Sequence, residues 1–179
     1  HNIPDRNVER LLCTTHIRRS PEDARRMDLV TPGLPGVFGG APLFMDATCV
    51  SPVSGDGRPK PKAADEDGAA VAEADRKNRE EDYPDVEASP HACLLSLGVE
   101  TYGRWNPHSQ QLLTQLARKK AQGVADELRR TTERAYMARW WSLLAVALQR
   151  AVAEAVLRES GADLFTAEEQ LFPSALADV

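Results

Sequence analysis

Apolar residues follow two rhythms along the chain. Up to about residue 107 they gather in short dense runs separated by Gly, Pro and charge, and beyond residue 108 they recur at intervals of three and four. The first rhythm predicts strands and the second predicts amphipathic helices. At the start, Pro4 and Asp5 precede Val8, Leu11 and Leu12 at spacings suited to one face of a short helix capped by Asp5. THIRR (15–19) predicts a first strand, RRMDLVTPG (25–33) a second ended by Pro32 and Gly33, and APLFMDATCVSP (41–52) a third.

The composition then shifts to Gly, Pro and charge over 51–68, which predicts a loop. AAVAEADRKNREED (69–82) has strong helix propensity and stops at Tyr83 and Pro84. HACLLSLGVETYG (91–103) is a continuous apolar run, the mark of a strand buried on both faces. From His108 to about Ser160 the pattern is helical, with Gly123 the best position for a break. Tyr136, Trp140, Leu144, Leu148, Val152 and Val156 form an apolar stripe there, so Trp140 and Trp141 are expected to pack in a core rather than stack on bases. The order helix, three strands, helix, strand, helices is an α/β plan, with an α/β core over 1–107 and a helical extension over 108–179 packed on it.

Length and composition narrow the classes. A chain of 179 residues suffices for one compact domain, and 42% hydrophobic with 27% charged residues excludes wholesale disorder. No apolar run approaches the roughly 18 residues of a membrane span, and the start is unlike a signal peptide. An intracellular protein without a membrane partner is therefore expected. The chain begins at His1 and is read as a piece of a larger one. Three cysteines, Cys13, Cys49 and Cys93, suit reduced thiols, with Cys49 and Cys93 expected in the core.

A net charge of −5 argues against a generally basic nucleic-acid binder. Arg18 and Arg19, Arg118 to Lys120, and Arg129 with Arg130 are solvated helix surface or a local basic face. Cys13-x-x-His16 has half-site spacing for zinc, but His91-x-Cys93 leads into an apolar strand and makes a poor second half. Neither a Gly-rich phosphate loop nor a nucleophile elbow is present in the sequence.

The chemistry rests on two acids. Asp28 and Asp46 each interrupt an apolar strand, and those strands are consecutive. Neighbouring strands lie about 4.8 Å apart, so acids at matched heights converge on one hard cation such as Mg2+. The alternative for each is a strand-end cap or a pair with Arg25 or Arg26.

MDLV (27–30), FMDATCVSP (44–52), AEADRKNREEDYP (72–84) and CLLSLGVETYGRW (93–105) together resemble successive blocks of the restriction-endonuclease-like domain of site-specific non-LTR retrotransposons, a branch of the PD-(D/E)XK nucleases. The resemblance runs from His1 and Asn2 to Trp141. It implies a PD-(D/E)XK core followed by C-terminal helices, with Asp28 and Asp46 holding Mg2+ or Mn2+. It further implies a catalytic cation at Lys77 and a role for Tyr83 behind it. Thr48 stands where the common pattern has Lys, and Met27 where it has Pro. The span from Lys77 to Tyr83 is longer than in the branch, which leaves Arg79 as a rival to Lys77. Lys is the better chemical fit, since Arg does not give up a proton.

Glu9 is a helix-surface residue or a further acid of the site, and Arg104 and Arg139 are candidate contacts to DNA phosphate. Trp105 is expected to pack. The implied activity is nicking of target DNA for integration by target-primed reverse transcription, in the nucleus, with the rest of a reverse-transcriptase polyprotein and DNA as partners. The alternative is a degenerate nuclease fold that binds DNA or a protein without cutting.

Overall fold

The computed structural model describes residues 23–159 together with the backbone of Arg10–Leu11. The expected first strand at 15–19, and with it Glu9, Cys13, His16, Arg18 and Arg19, lies outside the described residues.

The chain is mixed α/β, organised around strand β4 (Leu43–Val50). Two short antiparallel strands come before it in sequence: β1 (Arg10–Leu11) pairs with β2 (Arg26–Met27). Leu11 thus belongs to a strand and not to the helix its spacing predicts. Three apolar positions are too few to stabilise a helix nucleus on their own, and pairing with β2 takes the backbone instead. β3 (Leu29–Thr31) runs antiparallel to β4, and β5 (Cys93–Glu100) runs parallel to it on the other side, giving the order β3-β4-β5.

Side chains alternate across β4 and β5, so the sheet has two buried faces. On one, Phe44 and Leu94 pack with Met27, Tyr83 and Val86. On the other, Leu43, Met45 and Leu95 pack with Val37 and Leu112. Each such side chain, fully buried, contributes about 1.5–3 kcal/mol of transfer free energy. Cover on both faces is why 91–103 reads as an unbroken apolar run.

The first face is closed by α1 (Ala69–Lys77), a π-helical turn (Asn78–Asp82) and α2 (Pro84–Glu87). α1 comes close because residue 98 is glycine: a Cβ there would stand 2.5 Å from Val71 Cγ2. The second face is closed by α3 (Pro107–Ala121), whose N-terminus is fixed by sequence. Pro107 sits in its first turn, and the buried Asn106 caps it by accepting from Ser109 N at 2.9 Å and donating to Ser96 O at 2.6 Å.

The helix stops at 122–125, around Gly123, and α4 (Asp126–Glu159) follows for 34 residues. Trp141 of α4 lies against Trp105 with ring centroids 5.6 Å apart, Arg118 of α3 pairs with Glu133 at 3.1 Å, and Leu148 is buried. Trp105 is therefore a packing residue. Two expectations need correction. An 18-residue window of α4 has mean hydropathy 1.3, so by length and composition alone this helix is apolar enough to cross a membrane, with 6% of the window buried. Gln149, Arg150 and Glu154 interrupt the run and hide this from a search for uninterrupted apolar stretches. Cys49 is exposed rather than in the core, since it falls near the end of β4, beyond the ring of packed residues, and Cys93 is half-buried.

Gly98→Ala is expected to lower stability by about 1–3 kcal/mol by driving α1 off the sheet. Thermal denaturation checks this, and an unchanged midpoint would show that α1 does not seat on Gly98.

Candidate active site

Asp28 stands where the chain changes sheets, between β2 and β3. β3 pairs with β4 through Leu29 with Met45, Val30 with Phe44 and Thr31 with Leu43. One further step in that register sets Asp28 opposite Asp46. Because the strand leaves the ladder there, Ala47 N–H lacks a backbone partner from β3, and Asp28 Oδ2 accepts it at 2.7 Å. The structure thus brings together the two acids that the sequence singles out. Neither pairs with Arg25, which is bound to Asp23 at 2.7 Å and Asp85 at 2.6 Å.

Asp46 is half-buried on the face covered by α1. Its carboxyl is held above the usual aspartate range, first by burial and then by the nearby charge of Asp28, with Asp82 adding to the effect. Two hydrogen bonds oppose this: Thr48 Oγ1 donates to Asp46 Oδ2 at 3.3 Å, and Asn78 Nδ2 donates to the same oxygen at 2.6 Å. Like charges directly across a strand pair are unfavourable. The arrangement therefore stores repulsion that a bound cation relieves.

The helix that carries Lys77 presents a different residue to the acids. Ala70, Ala74 and Asn78 are spaced by four and share the face of α1 turned to the sheet, while Lys77 lies on the exposed side. Lys77 makes no ion pair or hydrogen bond with any described residue, whereas Asn78 is 4% exposed and bonded to Asp46. Asn78 is the site residue that the sequence reading missed. The available signal was a polar residue continuing the apolar row Ala70, Ala74.

After Asn78 the helix takes an extra residue in its turn. Tyr83 N–H donates to Asn78 O, five residues back, at 2.8 Å. This moves the inward position from 82 to 83. Tyr83 is buried, its hydroxyl donates to Arg26 O at 2.6 Å, and its ring lies under the Arg25 guanidinium. Burial, then the charges of Asp46, Asp28 and Asp82, push its hydroxyl up to about 12. Tyr83 is thus a neutral phenol that anchors the strand leading into Asp28. Arg25 clamps the same strand to the π turn by donating to Asp82 O at 2.7 Å.

Arg79 points elsewhere, into Asp75, Glu87 and His108, and is not placed on either acid. Arg104 pairs with Asp67 at 3.0 Å and approaches Glu100 at 3.7 Å, and Arg139 is exposed on α4. A separate concavity of about 540 Å³, lined by Gly36, Phe38, Gln115, Arg118 and Lys119 among others, lies between the 36–40 turn and α3 and contains neither acid.

Among the described residues no group of three or more His, Cys, Asp or Glu side chains is arranged to hold a metal ion. The groups gathered at Asp46 are the Asp28 carboxylate, the Thr48 hydroxyl and the Asn78 carboxamide. That set fits a hard cation such as Mg2+ or Mn2+, which takes one or two carboxylates and fills its remaining positions with water and substrate oxygens. Comparison of the chain with protein-family models, curated proteins and solved structures gives no match.

The raised Asp46 carboxyl has a sign that can be measured. Its folded-state value lies above its unfolded one, so at neutral pH the ionised group destabilises the fold, and that cost fades as pH falls through the folded value. Without divalent cations, Asp46→Asn is expected to melt higher than wild type at pH 7. The gap should close in acid. A variant that melts lower than wild type at pH 7 would mean that the carboxylate is not under repulsion.

Proposed function

We propose that this chain is a metal-dependent DNA endonuclease domain of the PD-(D/E)XK type, which nicks target DNA for retrotransposon integration by target-primed reverse transcription. The observation that carries the reading is the meeting of Asp28 and Asp46 across the β3–β4 register, with the Thr48 hydroxyl and the Asn78 amide N–H hydrogen-bonded to Asp46. The order of β3, β4, α1 and β5, with β5 parallel to β4, is consistent with that core. Mg2+ or Mn2+ at this site supplies the acidity that activates water and the charge that neutralises the phosphate oxygens.

The chain's own residues have separable parts in this reading. Asp28 and Asp46 hold the cation, Asn78 fixes the Asp46 carboxylate, and Tyr83 and Arg25 hold the strand that bears Asp28. Lys77 is exposed at the mouth of α1, where its charge can meet a phosphate oxygen of bound DNA. Arg104 and Arg139 are further candidates for backbone phosphates. DNA and the remainder of a reverse-transcriptase polyprotein are the partners, the setting is the nucleus, and no membrane is involved. α4 in this reading packs on α3 through Glu133 and Arg118 and on the segment before α3 through Trp141 and Trp105, and is not a span.

The second reading, a degenerate nuclease fold that binds without cutting, is favoured by one observation. Thr48 fills the usual Lys position with a hydrogen bond to Asp46, and Lys77 contacts neither acid.

Nicking of supercoiled plasmid separates the two. Wild type is expected to convert it to open circles with Mg2+ or Mn2+ and not with EDTA, and Asp46→Ala to lose at least about a hundredfold in rate, as expected when a metal ligand is removed. Retained DNA binding with no divalent-dependent nicking would favour the second reading, and nicking that survives Asp46→Ala would refute the assignment of the site.

A further inference from the structure

Among the described residues three buried side-chain atoms make no hydrogen bond: Asn78 Oδ1, Ser96 Oγ and Glu100 Oε1. Two of them flank one carboxylate. Asn78 is 4% exposed and touches Asp46 through its amide nitrogen, while Ser96 is 0% exposed and is the partner of Asp46 in the parallel β4–β5 register. Paired strands lie about 4.8 Å apart and register partners share a face, so the Ser96 side chain lies on the same face of the sheet as the Asp46 carboxylate. A buried amide oxygen or hydroxyl with no partner is costly, commonly about 1–3 kcal/mol. Native folds keep such atoms where an ion, a water or a ligand satisfies them.

We propose that Asn78 is a ligand of the divalent cation, donating Oδ1 as a neutral hard oxygen beside Asp28 and Asp46. This deepens the endonuclease reading and rests on it for the identity of the site. The amide does two things at once. Nδ2 donates to Asp46 Oδ2 at 2.6 Å, which leaves the other carboxylate oxygen for the cation, and Oδ1 of the same carboxamide is buried without a hydrogen-bond partner. An amide oxygen adds coordination without a third negative charge at a place where Asp28 and Asp46 already repel. Ser96 Oγ is a second buried oxygen without a partner on that face of the sheet.

The arrangement also explains why α1 gives way to a π turn immediately after Asn78. The regular helix delivers Asn78 to Asp46, and the extra residue then brings Tyr83 to Arg26 O. π turns inside α-helices are frequent at functional sites.

The test is calorimetric titration of MnCl2 into the whole 179-residue chain without DNA, for wild type, Asp46→Ala, Asn78→Ala and Asn78→Asp, with circular dichroism to establish folding. Wild type is expected to bind Mn2+ saturably and Asp46→Ala to lose that binding. Asn78→Ala should weaken it by about ten- to a hundredfold. Asn78→Asp keeps an oxygen at the same position but has no N–H to give Asp46, so it should bind as tightly as wild type or more tightly. Wild-type affinity in a folded Asn78→Ala protein would overturn the proposal while leaving the endonuclease reading intact. Equal weakening in Asn78→Ala and Asn78→Asp would also overturn it, because the amide would then act only through its hydrogen bond. If Asn78→Ala does not fold, the Asn78→Asp affinity decides alone, with weakening again against the proposal. Unaltered binding by Asp46→Ala, or none by wild type, would instead sink the metal-site reading itself.

Discussion

A carboxylate in the middle of a central strand is the constraint around which this fold is arranged. Asp46 sits on β4, which is paired on both sides, and on the face that α1 covers, so it is drawn out of water beside a second acid. Charge in such a place persists only if donors surround it. Thr48 supplies one hydrogen bond from the same strand and Asn78 supplies the shorter one from α1. Glycine at 98 lets α1 approach closely enough to deliver it, and the Arg25 clamp and the Tyr83 hydroxyl hold the opposing strand where Asp28 faces Asp46. Packing, capping and strand exit all converge on this carboxylate.

The larger elements were legible in the sequence because their signals are local. The continuous run at 93–100 could be explained only by a strand covered on both sides, and Gly123 marked the break between the two long helices. Asp28 and Asp46 stood out as single acids in apolar runs, and the register places them opposite one another. What was not legible depended on tertiary partners. Leu11 joins β1 because β2 is there to pair with it, and RRMDLVT divides at Asp28 because its two halves answer to different strands.

Asn78 carries no charge, so residue type alone does not single it out. Attention to charge favours Lys77, yet the four-residue rhythm of Ala70, Ala74 and Asn78 turns the amide inward and the ammonium outward. The π turn could not be read from residue types, since NREED has ordinary helix propensity, and only the positions of Asn78 and Tyr83 require the additional residue. α4 poses the reverse case: its hydropathy is visible in composition, but Trp141 against Trp105 and Glu133 against Arg118 are properties of the packed chain.

The most direct measurement is anomalous diffraction from crystals of the chain grown with saturating Mn2+. The account predicts one manganese peak at direct ligand distance, about 2–2.5 Å, from Asp46, with Asp28 and the Asn78 carboxamide oxygen in its coordination sphere. Manganese bound elsewhere, or none at this position under saturation, would contradict the claim that the two acids face each other in order to hold a cation.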